Sequence, residues 1–169
     1  MFLARMISQA KWRQLEWMNE GDISADALTC DLRTLENNLS FWRCNEASIK
    51  DIEDVALAIA SGRDKIEKID LVLINDSHLK NDCKTKESKG RTPVENLVDL
   101  HVDVFELNYY RLGVIARCIA SAIADDQCYR VTKKRIETLL ITAIIEEERL
   151  LIGNLNDKLR PHVQRLLNW

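Results

Sequence analysis

Prolines and glycines are scarce, two and five among 169 residues, which excludes extended linkers and low-complexity tracts. No stretch approaches the ~18 consecutive apolar residues needed to span a bilayer, so no membrane partner is expected. The first residues, MFLARMISQAKW, interrupt any apolar core early with Arg5, which argues against a cleaved leader. The five cysteines form no C-x-x-C pair and are widely scattered. That spacing excludes the common zinc and dithiol motifs and predicts free thiols in a cytoplasmic protein. The sequence also lacks G-x-S-x-G, a P-loop and a dinucleotide fingerprint, leaving nucleotide-dependent catalysis without support and no cofactor expected. A net charge of -3 gives no large field of either sign, so nucleic acid is not an expected partner.

What is present is ordinary globular material, 46% hydrophobic and 30% charged, in a chain long enough to bury most of its apolar surface in one domain. Alternation and aromatic content predict strands at Phe2–Ile7 and Leu39–Cys44, and the near-continuous apolar run IDLVLI predicts a strand covered on both faces. Asp22 or Ser24, ahead of the short helical stripe in ISADALTCDLRT, and Ser48, ahead of a stripe that Gly62 can end, stand where N-caps stand. Glu36-Asn37-Asn38 reads as a turn, because asparagine tolerates left-handed backbone. Strand, helix, strand from Leu39 to Ile74 predicts a βαβ crossover joining two parallel strands.

Residues 77–91, SHLKNDCKTKESKGR, are polar, lysine-rich and aperiodic, and read as a mobile loop. Thr92-Pro93-Val94-Glu95 has the pattern of a helix start. Val98, Val102, Phe105, Tyr109, Leu112, Ala116, Ile119 and Ile123 then continue a heptad-like seam, predicting one long helix to Ala124. Thr132 caps a further helix, and a last one is expected within Asp157–Leu167. The expected architecture is therefore α+β. An N-terminal α/β part (1–76) with a small sheet packs on a C-terminal helical layer (92–169) of three long or medium helices.

Few residues suggest chemistry. On a helix His101 and Asp103 would point about 200° apart and could not share one ion, so His101 reads as a hydrogen-bonded core histidine and no metal site is predicted. Asp99, Asp103, Glu106 and Tyr110 are spaced to lie on one polar helix face, an acidic strip with an aromatic that reads either as a solvated face or as a docking patch for a basic protein. Glu146-Glu147-Glu148 would fan over about 200° and stays a surface feature. Cys83, five residues after His78, sits among lysines that could lower its pKa, but a loop is a poor base for a nucleophile. The clusters Lys80, Lys84, Lys86, Lys89, Arg91 and Arg130, Lys133, Lys134, Arg135 lack interleaved aromatics and read as solvated surface.

These features favour a non-enzymatic protein-binding module, in the manner of an inhibitor or immunity protein that neutralises a basic partner. Homodimerisation through the helical layer is a further option. The alternative is a metal-assisted hydrolase or nuclease that uses carboxylates of the long helix.

Overall fold

The computed structural model describes residues 1–168. Its strands are β1 (Phe2–Ile7), β2 (Leu39–Cys44), β3 (Ile69–Asn75), β4 (Lys84–Glu87), β5 (His101–Phe105) and β6 (Cys128–Val131). Its helices are α1 (Ala25–Asp31), α2 (Ile49–Ser61), α3 (Ser77–Lys80), α4 (Tyr109–Ala124), α5 (Lys133–Ile145) and α6 (Arg160–Leu166). The strands form one six-stranded sheet in the order β4-β5-β2-β1-β3-β6, antiparallel at every pairing. The fold is α+β, as the sequence predicts.

Local signals predict local structure well. Ser24 accepts from the Ala27 amide and starts α1, Ser48 accepts from Asp51 and starts α2, and Thr132 accepts from Arg135 and starts α5. Each supplies an acceptor to an amide that has no partner inside its helix. Glu36 and Asn37 both adopt left-handed backbone in the turn before β2. Apart from its terminal Asn75, β3 is buried residue by residue, as its continuous apolar run requires.

The predicted βαβ unit is split. β2 and β3 both pair antiparallel with β1, Phe2 facing Cys44 on one side and Asn75 on the other. They therefore run parallel to each other, with β1 inserted between them rather than lying at an edge. β1 suits that place because its alternate residues belong to opposite cores, Ala4 to one and Leu3 and Ile7 to the other.

The single helix predicted from Thr92 to Ala124 is three elements. Glu95–Leu100 is a 3-10 turn, His101–Phe105 is β5, and only Tyr109–Ala124 is helical. In β5, Val102 and Val104 are buried while His101, Asp103 and Phe105 are less so. This is a two-residue period on β-branched residues, which the wider heptad count had absorbed. Glu106 then takes a left-handed φ of 54°, and Asn108 caps α4 by accepting from the Arg111 amide.

The 77–91 segment is likewise more than a loop. It contains α3 and the edge strand β4, and Leu79 and Cys83 anchor it in the core. β4, Lys-Thr-Lys-Glu, is exposed at every position. Charged residues are how sheets protect an open edge, and here they imitate a loop composition.

The sheet separates two cores, so the C-terminal helices do not make one layer. Residues of α2, α5 and α6 pack with Trp42, Leu71 and Leu73 on the first face. Those of α4, with Leu32 and Leu79, pack on Phe41, Val72 and Ile74 on the second. No helix among the described residues is long and apolar enough to cross a membrane.

Candidate functional site

The residues grouped as an acidic strip do not share a face. Asp99 lies in the 3-10 turn, where its main-chain carbonyl accepts from Arg43 Nη2 at 2.5 Å. Asp103 points from β5 toward the first face, beside Ser40 Oγ at 3.4 Å. Glu106 occupies the β5–α4 turn and receives Lys84 Nζ at 2.5 Å, a contact that lowers its pKa. Tyr110 begins α4 on the second face and donates its hydroxyl to Asp82 Oδ1 at 3.0 Å, which raises the phenol pKa. The helical spacing that joined the four disappears with the helix.

On the first face, Asp103 and His101 line an open pocket of about 540 Å³ between the C-terminal end of α2 and the β2–β5 surface. His101 Nδ1 lies 2.8 Å from Ser88 Oγ, and its ring meets Trp42 edge-on, with centroids 5.1 Å apart. Gly90 covers the other part of the indole: a Cβ there would stand 2.4 Å from the Trp42 ring. Although Ser88, His101 and Asp103 share this pocket, Asp103 makes no hydrogen bond to His101. They lack the relay of a nucleophilic triad. His101 is instead a half-buried, hydrogen-bonded histidine, as the sequence reading expected, but in a strand.

Burial lowers the His101 pKa, and the Asp103 charge only partly offsets it. The folded chain thus favours the neutral ring, so His101 contributes stability above the ordinary histidine pKa of about 6.5. As pH falls, the unfolded chain takes up the proton first, and the contribution is lost through the lower folded pKa. Melting temperature should therefore fall more on acidification from pH 7 to 5 in the wild type than in His101→Gln. Equal slopes would contradict this assignment.

The second face carries a larger and different feature. On this face α4 and the segment that contains α1 border a groove of about 750 Å³, with Leu32, Ile115 and Ile119 buried in the core nearby. Ile23, Leu28 and Leu32 form one wall, and Tyr109, Tyr110 and Leu112 the other. Gly113 and Ala116 keep the α4 side shallow. A Cβ built on Gly113 would meet only Arg117 Nη1, at 3.5 Å.

Exposure distinguishes this groove from core. Tyr109 is 93% exposed and Tyr110 61%, and Leu28 is also exposed. Large apolar side chains left together on a surface, rather than scattered, mark interaction sites. Among the described residues the lining includes no acidic side chain, and its charged members are Arg33 and Arg117, one from each wall. Neither guanidinium forms an ion pair among the described residues, although such pairs are numerous elsewhere, for example Arg130–Asp70 and Arg135–Glu53.

Sequence reading reached this groove at Tyr110 alone. Tyr109 reads as part of the seam, whereas the structure turns it outward beside the exposed Leu28.

The cysteines and a metal centre gain no support from the geometry. All five cysteines are free, and burial raises the Cys83 thiol pKa, with Asp82 adding to it, the opposite of activation. Burial likewise pushes Cys44 up to about 12. Among the described residues, no three His, Cys, Asp or Glu side chains gather where they could hold a metal ion. Compared with known proteins, the chain matches no family model, no curated protein and no solved structure.

Proposed function

We propose that this protein is a non-enzymatic binding module and that the groove between α1 and α4 is where it receives a segment of another protein. The observation that carries this reading is the pair of exposed tyrosines beside Leu28 over an apolar cleft. Tyrosine suits such a role because its ring contributes large contact area at small entropic cost and its hydroxyl tolerates water until the partner arrives. Tyr110 is already held through Asp82, so part of the ordering cost of binding is met before contact. An inhibitor or immunity-type role belongs to this class, and the adjacent helix surface of α4 supplies its docking face.

The alternative, a metal-assisted hydrolase or nuclease, needs Asp99, Asp103 or Glu106 to meet a histidine and further ligands; Asp103 shares a pocket with His101, but among the described residues no third His, Cys, Asp or Glu joins them. The three carboxylates stand on a turn, a strand and another turn, and Glu106 is engaged with Lys84. Binding is the reading that the geometry supports better.

A photo-reactive benzoyl-phenylalanine in place of Tyr109, compared with the same group in place of the exposed Leu151, tests the proposal in the native cell. The expected result is a discrete covalent adduct from position 109 only, lost when Gly113→Trp fills the groove. No adduct, or equal adducts from both positions, would reject the groove as the docking face.

A further inference from the structure

We infer that the segment received by this groove is an acidic amphipathic helix, an inference that rests on the docking role just proposed and names its partner. Three observations point the same way. First, the sign of the groove is opposite to that of the chain. The protein has 27 acidic against 24 basic residues, yet among the described residues the charged ones that line the groove are Arg33 and Arg117.

Second, those guanidiniums are unpaired among the described residues and come from opposite walls, so a chain lying between them would meet a cation on either side. Carboxylates flanking an apolar stripe answer that arrangement, and arginine recognises them with paired donors. Third, one wall is α4 and the other is α1 with the irregular chain at its two ends, and among the described lining residues none belongs to a strand. An extended peptide would find no main-chain ladder to join, whereas a helix satisfies its own backbone and presents side chains at i, i+3, i+4 and i+7.

A second copy of this chain fits less well. A two-fold pairing of the groove with itself would bring Arg33 and Arg117 of both copies into one interface, and like charges there oppose association.

The test is selection of displayed 16-residue peptides, randomised on a helix-favouring background, against the full-length protein. The sequences that emerge should be apolar at helical spacing with Asp or Glu along both flanks of the stripe. Their affinity should fall as salt rises. They should bind Arg33→Gln/Arg117→Gln about tenfold or more weakly and lose binding to Gly113→Trp. Circular dichroism confirms the folding of each variant. Should Gly113→Trp fail to fold, Tyr110→Asp takes its place.

Groove-dependent peptides that are neutral or basic would overturn the acidic helix while leaving the docking role intact. If no peptide emerges, or if binding ignores the filled groove, both fall. Both also fall if vesicles containing phosphatidylserine bind the protein through Arg33 and Arg117, since a membrane would then be the occupant. Self-association abolished by Gly113→Trp would replace the foreign helix with a second copy.

Discussion

Phe41→Ala should be the most damaging single truncation, lowering stability by about 3–5 kcal/mol and the melting temperature by roughly 10 °C or more. Phe41 lies in the interior strand β2, fully buried, opposite Val102 of β5. It belongs to the core that also holds Ile115 and Ile119 of α4 and Leu32 at the end of α1. The guanidinium of Arg5 sits over its ring, 5.4 Å from the centroid. Alanine would leave a cavity between sheet and helices that the flanking strands cannot close, and would remove the surface on which Arg5 rests. Because α1 and α4 stand on this core, the α1–α4 groove should loosen with it. Chemical denaturation checks the prediction, and a loss below 1 kcal/mol would show that Phe41 is not the keystone of the second core.

Asp31→Ala should cost about 2–4 kcal/mol, from two donors left without an acceptor in a partly buried site. Asp31 Oδ2 accepts from the Ser8 amide at 2.8 Å and from Trp12 Nε1 at 2.7 Å. The Asp31 main-chain carbonyl accepts from Arg5 Nε at 2.9 Å, while Arg5 Nη1 reaches the Ser40 carbonyl at 2.7 Å. One residue at the end of α1 thus ties down the chain after β1 and, through Arg5, the start of β2. Burial lowers the Arg5 pKa to about 10, and the Asp31 carboxylate acts against that shift. Removing the carboxylate therefore also withdraws the favourable charge facing a half-buried arginine. Tryptophan emission should shift to the red as Trp12 is released, with Trp17, already 76% exposed, contributing an unchanged background. An unaltered spectrum together with unaltered stability would show that the cluster is ornamental.

Asp31 also marks the boundary of what the sequence could disclose. Read locally, it is an acid at the wrong end of α1, where the helix dipole disfavours it. Its partners lie 19 and 23 residues away, and no periodicity announces them. Ser24, Ser48 and Thr132 are legible for the opposite reason, since each cap and the amide it serves are three residues apart. β3 is legible because burial on both faces leaves an unbroken apolar run.

β5 and β4 were obscured by composition. Val98, Val102, Phe105 and Tyr109 satisfy a heptad count that Val102 and Val104 satisfy equally as a two-residue alternation. Only pairing with Leu39–Trp42 decides between them. The lysines of β4 are the means by which an edge strand avoids further pairing, and they erase its signal. The candidate site was less legible still. A groove is a property of two segments brought together, and Leu28 lies on α1 while Tyr109 lies on α4. Nothing local could show that both turn outward over the same cleft.

Amide NMR during titration with a carboxylate-rich amphipathic helical peptide tests the docking groove most directly. The groove predicts shifts concentrated at residues 23–34 and 109–117, saturating with peptide and abolished by Gly113→Trp. Shifts centred instead on the His101–Asp103 pocket, or none at any concentration reached, would contradict it.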